Sequence, residues 1–146
     1  MRQRTAKSPP VVLSIAGYDP SSGAGVTADI KTMAAHGCYG ITCVTALTVQ
    51  STRGVKRVQA VAARTITEML DELAGDFKIA AVKIGMLGSA EAARAVAAFL
   101  KRARPRYVVL DPIIQSSSGA RVISGEGISV LKRELLPLAT VITPNI

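Results

Sequence analysis

Short apolar runs alternate with segments of helical spacing along most of the chain. The apolar runs are mostly rich in β-branched residues and are bounded by Gly, Pro or polar positions, which is typical of strands buried on both faces. The pattern therefore predicts five strands. They lie at Val11–Ala16, Ile41–Val49, Ala80–Ile84, Tyr107–Leu110 and Thr140–Thr143.

Four helices are predicted between these strands. The first covers Val26–Ala35 and ends at Gly37. The segment Thr65–Glu68 has the spacing of a capping box, so we expect a helix to begin there and to end at Gly75. A serine can cap the N-terminus of each of the other two helices, and these residues are Ser89 and Ser124. The last helix is expected to turn three apolar side chains inward, namely Ile128, Leu131 and Leu135.

Strands and helices alternate in the order βαβ followed by three further αβ units. Such alternation indicates a parallel sheet covered by helices. The sequence thus predicts an α/β fold with a doubly wound, mostly parallel sheet and helices on both faces, in one domain over residues 11–146. Residues 1–10 are expected to form a flexible basic leader. Since no helix follows the last predicted strand, we expect a sheet that is incomplete at its C-terminal side, as in the N-terminal portion of a longer domain.

The composition agrees with this fold class. Of the 146 residues, 49% are hydrophobic and only 3% are aromatic, so the core must be built from Ala, Val, Ile and Leu. The two cysteines cannot form a disulfide framework, which favours a reduced, cytoplasmic protein. Neither a signal peptide nor an apolar segment of spanning length is found, so no membrane partner is predicted.

The charge raises the question of a nucleic-acid partner. Eighteen Lys and Arg side chains against ten Asp and Glu give a net charge of +8, and such a balance attracts polyanions. However, few aromatic residues lie between the basic clusters to stack on bases. We therefore favour the basic surface of a protein that handles phosphates and predict no nucleic-acid partner, while a basic nucleic-acid-binding fragment stays the alternative from another class.

Small and polar residues follow every predicted strand. Ligands of open parallel sheets bind at the carboxyl ends of the strands, so these segments are expected to share one pocket. They are residues 17–25, 50–54, 85–87, 111–112 and 143–145.

The segment Gly23–Ala28 matches the G-x-G-x-x-A pattern of dinucleotide-binding proteins. In those proteins the glycines follow the strand directly and an acidic residue about 20 positions later binds the ribose. Here six residues separate Gly17 from Ala24, and no acidic residue occurs between Asp29 and Glu68. A nicotinamide cofactor is therefore disfavoured, and we expect a loop whose backbone approaches a small ligand at a helix N-terminus.

Three further residues have two open interpretations each. Asp111 precedes Pro112 at a strand end, where it can hold a cation or orient a phosphate, or simply cap a turn. Gln50 can pair with the edge of an amino-heterocycle or tether its own loop. Met86 can cover a flat ring or belong to the core. By contrast, His36, Cys38 and Cys43 lack a fourth ligand and are interpreted as packing residues rather than a metal site.

Together, five motifs between Val11 and Asn145 resemble the hydroxymethylpyrimidine/phosphomethylpyrimidine kinases of thiamine biosynthesis, which belong to the ribokinase-like superfamily. The motifs are VLSIAGYDPSSGAGVTADIKTMAAHGCYG, TALTVQSTRGV, VKIGMLGS, VVLDP and LLPLATVITPN. The resemblance implies a ribokinase-like fold and transfer of the ATP γ-phosphoryl group first to the alcohol and then to the monophosphate. It also implies ATP and Mg²⁺ as cofactors and a homodimer for the full-length protein. A pyridoxal kinase of the same superfamily is the alternative.

The resemblance also implies roles for individual residues. Those around the pyrimidine would be Gly17, Asp29, Thr48, Gln50, Met86 and Ile113, and those on the phosphate and magnesium side would be Asp111 and Asn145. Catalytic residues are expected beyond Ile146, so the chain by itself is expected to be inactive or impaired. The sequence departs from the family pattern in its first loop, where Tyr18 and Ser22 replace a small residue and a Gly, and at residues 115–118, which lack a Lys.

Overall fold

The structure is a computed structural model that describes residues 8–114 and 123–145. Within these residues, six strands and four α-helices follow one another in the chain. The strands are β1 (Val11–Tyr18), β2 (Tyr39–Ser51), β3 (Gly54–Ala60), β4 (Ile79–Ile84), β5 (Tyr107–Leu110) and β6 (Val141–Ile142). The helices are α1 (Gly25–Ala35), α2 (Ala63–Asp76), α3 (Ala90–Ala103) and α4 (Gly125–Val130). A π-helical turn (Leu131–Leu135) and a 3₁₀ turn (Leu136–Leu138) continue α4.

The six strands form one sheet in the order β3-β2-β1-β4-β5-β6. All neighbouring strands run parallel except β2 and β3, which are antiparallel. From β1 the chain first adds β2 and β3 on one side. It then adds β4, β5 and β6 on the other side of β1. Helix α1 packs on β1 and β2 at one face, whereas α2, α3 and α4 cover the hydrophobic core at the other. The predicted α/β, doubly wound and mostly parallel fold is confirmed.

The main hydrophobic core lies between the sheet and helices α2 and α3. Alternate side chains of β1 point to opposite faces, so Leu13 and Ile15 enter this core while Ser14 faces α1. The core side chains of the two central strands are at most 1% exposed. Aliphatic residues dominate this core, as the composition predicts.

The predicted serine caps are confirmed. The Ser89 hydroxyl accepts a hydrogen bond from the Ala92 N–H, and the Ser124 hydroxyl accepts one from the Gly127 N–H. In the last helix, Leu131 and Leu135 are buried as predicted, whereas Ile128 is half-buried and Val130 takes the buried position.

The predicted capping box is wrong. Helix α2 begins at Ala63, two residues before Thr65, and continues through Gly75. Glu68 pairs with Arg64 one turn earlier at 2.8 Å, so its carboxylate is not turned back to the helix N-terminus. Thr67 donates to the Ala63 carbonyl inside the helix.

Strand β3 was missed by the hydrophobic pattern. It pairs with the far half of β2, and its residues are exposed or half-buried, so no face of β3 carries a buried apolar stripe. The sheet is therefore mixed at this edge, and β2 extends beyond its predicted bounds to reach β3. No helix in the described part of the chain is long and apolar enough to cross a membrane. Residues 1–7 of the predicted leader and the departure at residues 115–118 lie outside the described residues.

Candidate small-molecule binding site

A cavity lies at the carboxyl ends of the central strands, next to the crevice between β1 and β4 where the direction of the crossovers reverses. Open α/β sheets bind their ligands at such switch points. Its walls come from the loop after β1, the end of β2 and the segment after β4. Six of the predicted site residues line it, namely Gly17, Thr48, Gln50, Met86, Ile113 and Asn145.

Gly17 and Met86 are packed against each other on the cavity wall. A Cβ atom at residue 17 would overlap the Met86 methyl group, so a larger residue there would displace the end of this side chain. The Thr45 hydroxyl donates to the Met86 carbonyl and thereby fixes the segment to β2. The cavity thus has a wall formed by peptide backbone and a thioether.

Thr48 connects the ends of β1 and β2. Its hydroxyl oxygen lies 2.8 Å from the Tyr18 carbonyl oxygen and 3.2 Å from Gln50 Oε1. Gln50 is half-buried at the cavity, where its amide has both a donor and an acceptor to offer. The contact with Thr48 holds this side chain without using the amide completely, so both interpretations of Gln50 remain compatible with the geometry.

The loop between β1 and α1 is organised by Asp19, a residue that the sequence analysis did not single out. Asp19 is 3% exposed, and its carboxyl group accepts hydrogen bonds from the Ser21 N–H and hydroxyl at 2.8 and 2.7 Å. It also accepts from the Gly23 and Ala24 N–H groups at 3.1 and 3.0 Å. Burial opposes the charge, but these hydrogen bonds outweigh it and hold the pKa of Asp19 below its ordinary value. An aspartate followed by Ser and Gly residues is the available sequence signal, since such residues form side-chain-closed turns.

Two residues of this loop have left-handed backbone conformations. Gly25 has φ +61°, and a Cβ there would overlap the Gly17 carbonyl. Ser22 has φ +60°, a conformation that a glycine adopts without steric cost. The loop therefore needs glycine at one position and tolerates a strained serine at the other.

Asp29 lies one layer behind the cavity rather than on its wall. Its Oδ2 accepts hydrogen bonds from the Ser14 hydroxyl at 2.6 Å and from Lys83 Nζ at 3.0 Å. Lys83 itself lines the cavity and was missed by the sequence analysis. A lone lysine inside the apolar run of β4 is the signal that could have found it, because buried charges require partners.

Asp111 follows β5 beside this pair. Burial raises the pKa of Asp111, the Lys83 ammonium opposes this rise, and the Asp29 charge adds to it. No group of three or more His, Cys, Asp or Glu side chains that could hold a metal ion occurs in the described ranges. Mg²⁺ usually takes one or two carboxylates together with substrate phosphates, so the donor chemistry of Asp111 fits a magnesium ion that arrives with a phosphate.

The two cysteines lie apart from the cavity walls. Cys43 is fully buried in the core, where burial raises the pKa of its thiol to about 12. Cys38 is half-buried near the end of α1.

Comparisons with known proteins identify similar sequences and structures. The sequence profile described as phosphomethylpyrimidine kinase matches residues 19–146. The hydroxymethylpyrimidine/phosphomethylpyrimidine kinase of Haemophilus influenzae is 44% identical over 135 residues, which are 92% of this chain and 50% of that protein. The Escherichia coli protein of the same name is 42% identical over 134 residues, again 92% of this chain and 50% of the relative. The chain thus spans about half the length of these relatives.

Solved structures show the same fold. The phosphomethylpyrimidine kinase of Clostridium difficile aligns with a TM-score of 0.87 at 41% identity, covering 94% of this chain and 59% of that chain. The pyridoxal kinase of Bacillus subtilis, solved with ADP, aligns with a TM-score of 0.83 at 32% identity, covering 94% and 51%. The predicted ribokinase-like architecture is therefore shared with kinases of two vitamin-related substrates.

Proposed function

The chain belongs to the phosphomethylpyrimidine kinase family, and we propose that it forms the pyrimidine-binding part of an ATP-dependent kinase of thiamine biosynthesis. The proposed substrates are hydroxymethylpyrimidine and its monophosphate. The observation that carries this proposal is the convergence of Gly17, Gln50 and Met86 on one cavity at the carboxyl ends of β1, β2 and β4.

The cavity suits a flat ring with polar edges. Backbone at Gly17 and the Met86 thioether offer apolar surfaces to the faces of a ring. The Gln50 amide can donate to a ring nitrogen while it accepts from an exocyclic amine. Thr48 supports Gln50, and Ile113 adds apolar surface to the cavity.

The phosphate side of the reaction is proposed to lie at Asp111 and Asn145. Mg²⁺ bound with ATP would neutralise charge on the phosphates during transfer. Asp111 would offer its carboxylate to that ion, and Asn145 would offer its amide to a phosphate oxygen. The Asp29 and Lys83 pair lies beside Asp111, so three charged groups cluster on this side, while the Asp19 carboxylate on the cavity wall is held by hydrogen bonds from its own loop.

The activity of the whole protein is part of the proposal. We propose cytoplasmic location, a homodimer for the full-length protein and no nucleic-acid partner.

We expect residues 1–146 to bind the pyrimidine but to transfer phosphoryl groups slowly by themselves. Positioning one substrate supplies only a part of transition-state stabilisation, which also needs groups that act on the transferred phosphoryl.

Pyridoxal phosphorylation is the second candidate. The likeness to the Bacillus subtilis pyridoxal kinase favours it, as does a structure described as a last common ancestor of two groups of vitamin kinases, aligned with a TM-score of 0.82 at 39% identity. Pyridoxal offers a phenolic oxygen and an aldehyde instead of an aminopyrimidine edge. The Gln50 amide therefore favours the first candidate.

The test is calorimetric binding of hydroxymethylpyrimidine and of pyridoxal to the chain, with Gln50→Ala and Gln59→Ala compared. Gln59 is the matched control, because it is an exposed glutamine on β3 that does not line the cavity. Gln50→Ala should weaken pyrimidine binding by about 1–3 kcal/mol, since polar atoms of the bound ring lose their partner. Gln59→Ala should leave binding unchanged.

Three results would contradict the proposal. Binding of pyridoxal alone would favour the second candidate. Equal pyrimidine affinities of the Gln50 variant and the original chain would show that Gln50 only holds its own loop and does not contact the ring. Salt-sensitive binding to DNA without pyrimidine binding would indicate a nucleic-acid-binding protein, since phosphate contacts weaken steeply with salt.

A further inference from the structure

Lys83 is a charged side chain on the wall of the proposed pyrimidine cavity. Among the described residues that line it, Lys83 is the one with a cationic side chain. It is 24% exposed, so the ammonium is largely withdrawn from water but open to the cavity. A charge withdrawn from water needs a partner, and Asp29 supplies one of the hydrogen bonds that the ammonium can make.

The ammonium is held in place by two neighbouring elements. Asp29 on α1 binds Nζ at 3.0 Å, and Ser14 on β1 fixes the same carboxylate oxygen at 2.6 Å. Gly85 leaves room beside it, because a Cβ there would lie 3.0 Å from Nζ. The lysine is therefore oriented in advance of any ligand.

This arrangement leaves hydrogen-bonding capacity for a ligand. An ammonium group has three N–H donors, and Asp29 is the one hydrogen-bond partner of Nζ among the described residues. A hydrogen bond from an ammonium group to a hydroxyl or phosphate oxygen is charge-assisted and therefore stronger than one between two neutral groups. The free donors therefore suit a hydroxyl or phosphate oxygen.

Lys83 and Gln50 line the same cavity from strands on opposite sides of β1. Two strand spacings separate β4 from β2, which is about 10 Å across the sheet. Along the strands, Lys83 pairs with Ser14, whereas Gln50 lies beyond Tyr18 and Leu47, the last pair of β1 and β2. Lys83 is therefore the deeper of the two, and a ring paired with Gln50 can direct its arm into the cavity towards Lys83.

We propose that Lys83 determines specificity by binding the oxygen of the substrate's methyl arm, which is the hydroxyl of the alcohol or the phosphate of the monophosphate. Asp29 then acts as a positioning residue for Lys83 rather than as a ring contact. The inference rests on the proposed function, because it takes the ring to be an aminopyrimidine bound at Gln50.

The experiment measures calorimetric binding of three pyrimidines to the full chain. They are hydroxymethylpyrimidine, its monophosphate and the analogue with a methyl group in place of the hydroxymethyl group. The variant is Lys83→Met, and the matched control is Lys78→Met, an exposed lysine just before β4. The original chain should bind the alcohol at least about tenfold more tightly than the methyl analogue, as expected for a hydrogen bond to a charged group.

In Lys83→Met this preference should fall to within about twofold, and monophosphate affinity should fall by more than about tenfold. Affinity for the methyl analogue should stay within about twofold of the original. Lys78→Met should change none of the three. Since Lys83→Met leaves Asp29 without its ammonium, the double variant Lys83→Met with Asp29→Asn removes the unpaired charge and should show the same loss of preference.

Other outcomes overturn the inference. If Lys83→Met and the double variant both lost the same affinity for all three pyrimidines, Lys83 would have a structural role only. A preference that persists in the double variant would exclude contact with the arm. Absence of pyrimidine binding by the original chain would contradict the proposed function itself, and this is seen before any variant is tested.

Discussion

The two faces of the sheet are built from adjacent residues of the same strands, yet they differ in chemistry. On the face towards α2 and α3, Ile15 and Ile84 are completely buried among aliphatic side chains. On the face towards α1, the neighbouring residues Ser14 and Lys83 meet the Asp29 carboxylate. One face thus stabilises the fold and the other orients charges beside the cavity. Alternation with a period of two residues lets a strand do both.

The largest loss of stability is expected from a substitution on the apolar face of the sheet. Ile15→Ala should lower the free energy of unfolding by about 2–5 kcal/mol, because it removes buried methyl groups and leaves a cavity. Urea unfolding followed by circular dichroism measures this. Leu47→Ala is the control, since Leu47 is 49% exposed on β2 and its loss should cost far less. Equal costs for the two variants would contradict the assignment of the core to this face.

A smaller loss is expected at the loop that leads into α1. Asp19→Asn should lower the free energy of unfolding by about 1.5–3 kcal/mol at neutral pH, since an amide cannot accept all the hydrogen bonds that the carboxylate accepts. The pKa of Asp19 is lowered in the folded protein. Its contribution is therefore present above the ordinary carboxyl pKa and is lost as the pH falls through the folded value. Urea unfolding from pH 7 to pH 3 should show the difference between variant and original narrow as the pH falls.

The pKa of Asp111 is shifted in the opposite direction to that of Asp19, so the expected dependence of stability on pH is also opposite. Its pKa is raised in the folded protein, so ionisation at neutral pH costs stability that is present in acid. Asp111→Asn should therefore raise the free energy of unfolding at neutral pH and leave it unchanged in acid. The same titration measures it, and a neutral-pH loss would contradict the raised pKa.

The smallest effect is expected at Ser22. Ser22→Gly should stabilise the protein by about 0.5–1 kcal/mol, because the left-handed conformation is strained for serine and not for glycine. Gly25→Ala is the contrasting variant and should destabilise it, because its new Cβ would overlap the Gly17 carbonyl. Thermal unfolding of both variants compares the two positions. A loss on Ser22→Gly would show that the hydroxyl contributes more than the strain costs.

Sequence reasoning succeeded where burial dictates the residue type. The central strands β1 and β4 are largely apolar because both faces are covered. The serine caps follow from the unpaired N–H groups of a helix N-terminus. Strand β3 escaped detection because it pairs through its backbone while its side chains stay largely exposed. The capping box at Thr65 failed because Glu68 pairs with Arg64 instead.

The candidate site divides in a similar way. Gly17, Gln50 and Met86 follow strands directly, so the rule for strand ends brings them together. Whether a side chain reaches the cavity wall or stays outside it depends on tertiary packing. The order of residues along the chain does not contain this information. Asp29, which the resemblance implies beside the ring, does not line the cavity and pairs with Lys83, a lysine within the apolar run of β4 that sequence reasoning missed. The roles of these residues in binding remain predictions.

The Asp19 carboxylate has a consequence for how the glycine-rich loop can be used. Converging peptide N–H groups form a concave nest, a structure that proteins commonly use to hold phosphate. Here the N–H groups of Ser21, Gly23 and Ala24 already surround an anion that belongs to the chain. A free phosphate would have to compete with an occupant that is covalently attached and therefore always present at high effective concentration. The Asp19 carboxylate thus takes the place that a bound phosphate would have in such a nest. Replacing Asp19 by a residue without an acceptor would leave these N–H groups available to an external anion.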